Sequence, residues 1–446
     1  MTESEIKINA YKFVEKLIIT GDFPSVEKEQ KLKGSLEHLQ FVDWSDKLAE
    51  GPVIQRQKAS EINDEVLQIS LDRKTYGFEI KDYPPFYKFI YELSQFNNLK
   101  SKVSIKFLRT QTLIWIIDVF QNNRARQDLL HYLYEKLEKE IKKVRYYYPI
   151  LNLTIEEPFS IGNIKITYFT KEYFDKYWEC NRELFIENEE VFDLTYRKYQ
   201  GRVFVETEAF AESEKGEEIS YELASLTSDI VVLLSPTIVH PDENCLIDLE
   251  RRMPWESEFL SIESGKEYDL SITVSANRET FHISKEMVSS IENNMLFLFG
   301  KILNGNQRCE IDFLIVETVK MVARAIRETD LHLRISLLII VIESIFLLAE
   351  ENHKMEKKCK RRMCELLKPK GGETHQKLMD SLSNMYQVRH KMIHKSTRIY
   401  IEPIILSHFQ INVVEVILQL LANNSRLQTK ENLIRMLDTK GIANAE

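Results

Sequence analysis

One apolar segment constrains the fold of this chain more than any other. From Ile335 to Ala349 the side chains are almost all aliphatic or aromatic, and the main interruptions are Ser336, Glu343 and Ser344. The segment is too short to cross a bilayer, so the sequence predicts a helix that other helices bury on every side. Glu343 then becomes a carboxylate within an apolar core, and such a group requires a partner.

The sequence around this segment predicts a helical bundle from Ser284 almost to the end of the chain. Apolar periodicity and stop signals place helices at about 285–303, 312–326, 331–350, 357–367, 373–393 and 402–421. Thr329 or Asp330 is expected to cap the third of these helices. The connections are short, which favours antiparallel neighbours and therefore an up-down bundle.

Two regions with a different residue pattern precede the bundle. Residues 1–145 are predicted to be mostly helical, with an amphipathic helix at 127–145. Residues 146–283 alternate β-branched and aromatic residues with polar ones, which is typical of a β-rich α+β module. Its strands are expected at 146–155, 162–169, 201–210 and 268–276, its helix at 218–234, and a tight hairpin turn at Gly162.

The predicted fold class is therefore α+β and multidomain. A helical and β-rich N-terminal region is followed by an all-α antiparallel bundle at 284–446. The chain has 446 residues, enough for two or three domains. The three expected domains are 1–145, 146–283 and 284–446.

Charge and cysteine content narrow the possible functions. The net charge of −9 argues against general coating of nucleic acid, yet the chain after Ile311 carries more Lys and Arg than Asp and Glu. This excess of positive charge indicates either a local phosphate-binding site or an ordinary variation of charge along the chain, and the sequence does not decide between the two. The five cysteines are odd in number and form no CxxC pair, which indicates a reducing cytoplasm and argues against a zinc ribbon. No signal peptide or membrane span is predicted.

An Arg followed five positions later by a His is the strongest functional signal, but its spacing alone carries little information. The spacing occurs three times, at Arg126–His131, Arg327–His332 and Arg389–His394. The first copy begins a charged helix, and the second straddles a predicted break between helices. The third lies at the end of the fifth bundle helix, beside an inward face expected to contain Leu378, Leu382, Met385, Arg389 (or Tyr386), Met392 and Ile393. Glu343 is a reasonable partner for Arg389 there.

The region from about Glu310 to Ala422 resembles a HEPN domain, and more specifically the Apea-like HEPN group. The resemblance rests on Ile342-Glu343-Ser344 in the apolar helix, on the basic segment 357–362, and on Arg389-His390 followed by His394. It covers about a quarter of the chain. The resemblance implies an endoribonuclease that uses neither a metal nor another cofactor, and that forms one composite cleft from two copies of the domain.

The resemblance also assigns roles to individual residues. It implies that His394 is the general acid or base, that Arg389 stabilises the scissile phosphate, that His390 supports it, and that Glu343 orients Arg389. The basic side chains nearby are expected to track RNA phosphates, or to form a solvated helix face: Lys391, Lys395, Lys357, Lys358, Lys360, Arg361 and Arg362. Implied partners are RNA (tRNA or mRNA), a second copy of the chain, and an antitoxin or a phage-derived trigger in antiphage defence.

Two other functions stay open from the sequence. The bundle can be a HEPN-like scaffold without catalysis, which dimerises or binds nucleotides or RNA, with Arg389 and His394 as structural residues. A metal-dependent enzyme in the β-rich module is the weaker alternative, since only the loop His240-Pro241-Asp242-Glu243-Asn244 groups a histidine with carboxylates. A solvated acidic loop is the simpler interpretation of that segment.

Overall fold

The structure, a computed structural model, describes residues 1–22, 53–55, 68–71, 74–122, 127–172, 196–252, 280–304, 309–369 and 372–443. The strand predicted at 268–276 lies outside the described residues. The chain divides into two compact units, residues 1–144 with 209–218 and residues 145–208 with 219–446. Each unit has its own hydrophobic core.

The first unit combines helices with a small antiparallel sheet. Its helices are α1 (Glu3–Lys16), α2 (Tyr83–Ser94), α3 (Ile105–Asn122) and α4 (Leu129–Glu140), and its strands are β1 (Ile18–Asp22), β2 (Val53–Gln55), β3 (Gln68–Leu71) and β4 (Lys74–Gly77). The strand order is β1-β4-β3-β2. A capping box between Thr2 and Glu5 starts α1. Apolar side chains of α1, α2 and α3 then pack together, with Phe13 and Phe86 in contact at their ring edges.

A mixed α+β region follows along the chain, and most of its residues belong to the second unit. Its strands are β5 (Lys142–Leu151), β6 (Leu153–Ile155), β7 (Phe159–Ile161), β8 (Ile164–Tyr168), β9 (Val203–Ala211), β10 (Asp248–Leu249) and β11 (Phe281–Ile283), and α5 (Ser213–Val232) follows β9. Five strands form one sheet in the order β10-β5-β9-β8-β7, while β11 pairs in parallel with β6. The amphipathic helix predicted at 127–145 ends at Glu140, because Lys142 already belongs to a strand of this sheet.

The hairpin predicted at Gly162 is confirmed. Gly162 connects β7 to β8 with a φ of +65°, a backbone conformation that favours glycine. A Cβ at this position would meet the Gly300 carbonyl oxygen at 2.9 Å. The Asn163 N–H donates to the Asn304 side-chain oxygen at 2.8 Å. The turn therefore packs closely on the first bundle helices.

The C-terminal part of the second unit is helical, as the sequence predicts. The helices are α6 (Lys285–Ile291), α7 (Phe297–Asn304), α8 (Glu310–Arg327), α9 (Leu331–Phe346), α10 (Met355–Leu367), α11 (Gly372–Lys395), α12 (Pro403–Asn423) and α13 (Lys430–Ala443). A π-helical turn at Glu292–Leu296 separates α6 from α7, and α13 was not predicted. The Asp330 side chain accepts hydrogen bonds from the N–H groups of His332 and Leu333, so Asp330 is the predicted N-cap.

Helix α9 lies in the core of this unit. It packs on α8, α10, α11 and α12, and Ile335, Ile339 and Ile342 are fully buried. The same core continues into the sheet through Ile150 and Leu249. The regions predicted as separate domains at 146–283 and 284–446 thus share one hydrophobic core among the residues that the structure describes.

Helix α12 is the one described helix whose length and composition would allow it to cross a membrane. Core helices of folded domains meet the same criterion. Half of its most apolar window is buried inside the protein, and it packs on α11, α8 and α10. Its apolar side chains therefore serve the bundle core.

Candidate functional site

Two antiparallel helices, α9 and α11, position the third Arg–His copy. The Ser336 hydroxyl lies 3.8 Å from the Met392 sulfur. Two turns further along α9, Glu343 meets Arg389, which lies one turn earlier on α11. The register of the two helices therefore brings the lone carboxylate of the apolar segment to the arginine.

The pairing of Glu343 with Arg389 confirms the partner expected from the sequence. The Arg389 Nη1 donates to the Glu343 Oε1 at 2.7 Å. The Glu343 side chain is 14% exposed and that of Arg389 is 25% exposed. A charge-assisted hydrogen bond at this depth holds the guanidinium in one orientation. Its remaining N–H groups have no partner among the described residues, so they can donate to an incoming anion.

Two histidines lie side by side on the outer face of α11. His390 and His394 are four residues apart, so the helix places them on the same face. Their ring centroids are 4.8 Å apart, and the rings are tilted by 45°. Both side chains are exposed. Neither imidazole has a hydrogen-bond or ion-pair partner in the described part of the chain, so both are available to a ligand.

The end of α11 sets the direction in which these side chains point. Ser396 adopts a left-handed conformation with a φ of +49°, and the Thr397 N–H donates to the Lys391 carbonyl at 3.2 Å. The helix therefore ends at Lys395, one residue after His394. Lys391 is half-buried and Lys395 exposed, and neither forms an ion pair with a described residue. Together with Arg389 they make this helix end positively charged.

One expectation about the inward face of α11 is wrong. Met385, Tyr386 and Val388 are buried, but Ile393 is 54% exposed. One turn after Arg389, Met392 takes the contact with α9, which leaves Ile393 on the outside. The side chain therefore contributes to the surface beside the histidines.

Four exposed apolar side chains on α9, on α11 and in the segment after α11 were not found from the sequence. Leu333, Ile340, Ile393 and Tyr400 are all exposed, and Tyr400 is 85% exposed. Here we call them the apolar rim. The seven-residue spacing of Leu333 and Ile340 on α9 was the available signal. It was hidden because α9 carries apolar residues on every face.

A buried tyrosine and a buried cysteine lie behind the charge pair. Burial raises the pKa of the Tyr386 hydroxyl far above its usual range and raises the pKa of the Cys359 thiol to about 11. Both groups are neutral at physiological pH as a result. The Tyr386 hydroxyl makes no standard hydrogen bond in the described structure. Arg389 and Glu343 are therefore the charged members of this cluster.

The basic segment at the start of α10 is mostly engaged within the protein. Lys358 pairs with Glu351 at 2.7 Å, Lys360 contacts Glu356 and Ser383, and Arg361 pairs with Asp438 at 2.5 Å. Lys357 is exposed and has no partner among the described residues. Of the five residues predicted here as phosphate contacts, Lys357 is thus the freest.

Arg362 stabilises the bundle and does not face an RNA. It is 2% exposed, and it donates to the Phe346 carbonyl at 2.6 Å, to Glu351 at 2.6 and 2.9 Å and to Asp438 at 2.7 and 2.8 Å. Hydrogen bonds from Arg362 are the main reason that the pKa of Glu351 falls to about 2. The predicted phosphate role of Arg362 is corrected accordingly, because every face of its guanidinium is occupied.

The other two Arg–His copies have different surroundings. Arg327 donates to Asp229 and to the Ile247 carbonyl, each at 2.7 Å. His332 Nε2 lies 3.0 Å from the Ile399 carbonyl oxygen. Arg126 lies outside the described residues, and its partner His131 is exposed on α4. Of the three copies, the third is the one whose Arg and His the structure places on one continuous helix.

The loop with His240 does not gather a metal site in the structure. The described residues contain no group of three or more His, Cys, Asp or Glu side chains that could hold a metal ion. Cys245, Cys309, Cys359 and Cys364 are free thiols, and Cys180 lies outside the described residues.

Comparisons with known proteins give no further guide to this site. No family model matches the sequence, no curated protein matches it, and no solved structure matches the fold.

Proposed function

We propose that the chain is a metal-independent endoribonuclease with a HEPN-like bundle, and that its site lies at the end of α11. One observation carries this proposal: Arg389, oriented by Glu343 at 2.7 Å, lies in the last two turns of α11 together with the two unpartnered imidazoles of His390 and His394. A fixed cation binds and stabilises a phosphate. An imidazole transfers protons near neutral pH. These are the two elements needed to cut RNA without a metal.

The proposed reaction uses the 2′-hydroxyl of RNA as the nucleophile. An imidazole removes its proton while the 2′-oxygen attacks the adjacent phosphorus. The bond to the 5′-oxygen breaks, and that oxygen takes up a proton. The products are a 2′,3′-cyclic phosphate and a 5′-hydroxyl. DNA lacks the nucleophile and should not be cut. Lys391, Lys395 and Lys357 would contact neighbouring phosphates.

A second copy of the chain is the partner that we propose for this site. Ile393 of the apolar rim lies in the same last turns of α11 as Lys391 and Lys395, and exposed apolar groups that form a continuous patch mark interaction sites. In a two-fold dimer through the rim, Ile393 and Tyr400 of each copy would be buried next to the other copy's Arg389. Two arginines could then hold one phosphate in a composite cleft.

The cellular role that we propose is antiphage defence or a toxin system in a prokaryotic cytoplasm. The substrate would be tRNA or mRNA. An antitoxin or a phage-derived trigger would control the nuclease, and the β-rich part of the second unit is the proposed receiver of that signal. The shared core between this part and the bundle supports such coupling, because a change in one can strain the other.

A binding or scaffolding module without catalysis is the second candidate. It is favoured by the ion pair of Arg389 and Glu343, which by itself is a sufficient structural reason for both residues. In that case the helix end would bind nucleotides or RNA, or serve dimerisation, without cutting. Exposed histidines without partners are unexplained by this alternative, which is why we place it second.

The test is cleavage of a 5′-labelled RNA in EDTA by the purified chain. We expect wild type to produce fragments that end in a 2′,3′-cyclic phosphate. His394→Ala should lower the rate by about 10²–10⁴-fold, the usual contribution of a general acid or base. His375→Ala is the matched control, since His375 is exposed on the same helix but lies far from Arg389. The same strand made of DNA should remain intact.

Equal rates for wild type and His394→Ala would overturn the nuclease proposal. Retained RNA binding without any cleavage would favour the scaffold. A growth assay separates the two candidates independently: expression of the nuclease should be toxic and Arg389→Ala should relieve the toxicity, whereas a scaffold should be tolerated in both forms.

A further inference from the structure

We propose that the general acid and the general base of this reaction are His390 and His394 of the same chain. The inference rests on the proposed function and deepens it. The observation is the geometry of the pair: two exposed rings, 4.8 Å between their centroids, on one face of one helix. The sequence resemblance treats His390 only as a supporting polar residue.

The reaction requires two proton transfers, and the pair can perform both. One neutral imidazole accepts the proton of the 2′-hydroxyl while the bond between the 2′-oxygen and phosphorus forms. The other ring, as an imidazolium, donates its proton to the departing 5′-oxygen while its bond to phosphorus breaks. The pair ends with the same number of protons, and no metal, oxidant or second nucleophile is consumed.

The two transfers require one neutral ring and one protonated ring in the same pair. The charged groups around the pair are Arg389, Lys391 and Lys395 on α11 and Glu343 on α9, which already pairs with Arg389. Arg398, in the segment that follows, pairs with Asp330 at 2.6 Å.

The neighbouring helix α12 carries Glu402 and His408 at exposed positions of its first turns. No contact of either residue with the pair occurs in the described structure. The surroundings of the pair are therefore net positive, which draws a phosphate toward both rings.

The partner copy would then supply a phosphate contact and not the second proton-transfer group. This distinguishes our proposal from a site in which the His394 of each copy acts as acid and base in turn. The distinction is measurable, because one arrangement keeps the pair within a chain and the other divides it between chains.

The first experiment is the pH profile of kcat/KM on the labelled RNA. We expect a bell-shaped profile for wild type. For His390→Ala we expect kcat/KM to fall by at least about 100-fold, and one limb of the bell-shaped profile to disappear. A structural role for His390 would lower the rate equally at every pH and leave the bell intact, and that result overturns the proposal. So does a His390→Ala rate within threefold of wild type.

The second experiment mixes chains. His390→Ala and His394→Ala are co-expressed with different tags, and the mixed assembly is purified on both tags. We expect no recovery of activity, since neither chain holds a complete pair. Recovery above about a quarter of the wild-type rate would place the acid and base on different chains and overturn the inference. If the chain is monomeric, activity of the wild-type monomer supports the proposal and an inactive monomer overturns it.

These outcomes separate the two levels of the argument. A wild type that leaves RNA intact overturns the proposed function and the pair with it. A wild type that cuts RNA in EDTA while His390→Ala retains the full bell leaves the nuclease standing and removes only the pair.

Discussion

Two segments of this protein have the same Arg–His spacing and opposite surroundings. Arg327 is held between the side chain of Asp229 and the Ile247 carbonyl, and the His332 side chain is only 12% exposed. Arg389 has one carboxylate partner, and His394 is exposed without a partner among the described residues. Arg327 and His332 therefore stabilise the fold through their contacts, whereas His394 in the other segment is exposed to solvent.

The difference follows from whether the helix continues between the two residues. Helix α8 ends at Arg327 and α9 begins at Leu331, so Arg327 and His332 belong to different helices and meet different partners. Helix α11 runs unbroken through Arg389 and beyond His394. The spacing gives a candidate site only where a single helix carries both residues, with the arginine half-buried and the histidine exposed.

Substitution of Arg327 should produce the largest effect on stability. Arg327→Ala leaves Asp229, which is 2% exposed, with Arg252 as its one remaining cation among the described residues. Removing one member of a buried ion network costs about 3–5 kcal/mol in the free energy of unfolding. Arg324→Ala, at an exposed position of the same helix, should stay within about 0.5 kcal/mol of wild type. Urea denaturation followed by circular dichroism measures both.

A change below about 1 kcal/mol for Arg327→Ala would break the comparison, because the second Arg–His copy would then also be free of a structural role. RNA cleavage by this variant, measured under conditions in which it is folded, should remain near the wild-type rate.

Arg362, a buried arginine outside the two Arg–His copies, makes the stability of the fold depend on pH. The pKa of Glu351 is lowered to about 2, mainly by hydrogen bonds from Arg362, and the pKa of Asp438 is lowered for the same reason. A lowered carboxyl pKa in the folded state stabilises the protein above the unfolded value, here about 4.5. This stabilisation is lost as the pH falls from about 4.5 toward 2. For Glu351 it is at most about 3 kcal/mol.

Thermal unfolding between pH 5.5 and pH 2.5 measures this effect. We expect Tm to fall steeply for wild type in that window and less steeply for Glu351→Gln. Glu356→Gln is the matched control, because Glu356 is exposed and pairs with Lys360 on α10, the helix that also carries Arg362. The fall of Tm with pH should be the same for this variant as for wild type. An unchanged slope in Glu351→Gln would contradict the role that we assign to Arg362.

The sequence predicted helices and local signals well, because these depend on neighbouring residues. The start of α9 at Leu331, its Asp330 cap and the Gly162 hairpin follow from local periodicity and turn chemistry, whereas the predicted end of α9 at 350 lies four residues beyond the observed end at Phe346. The ion pair of Glu343 and Arg389 was also predictable, since a lone carboxylate in an apolar helix has few possible partners. HEPN identity and nuclease activity stay predictions.

The features that the sequence missed depend on contacts between distant residues. The role of Arg362 follows from Asp438, which lies 76 positions away on the unpredicted helix α13. The end of α4 at Glu140 is set by the pairing of the following strand in its sheet, which overrides a helical pattern that continues past it. Periodicity places a residue on a face, but only the packed neighbours decide whether that face is covered, as the exposed Ile393 illustrates.

The smallest expected effect on stability, at the pair of Arg389 and Glu343, sharpens the comparison most. Both side chains retain some solvent exposure, so their coupling energy in a double-mutant cycle with Arg389→Ala and Glu343→Ala should be only about 1 kcal/mol. RNA cleavage should nevertheless fall far more in Arg389→Ala than this loss of stability explains. A coupling of about 3 kcal/mol or more, with cleavage unchanged, would show that Arg389, like Arg327, stabilises the fold and does not bind the scissile phosphate.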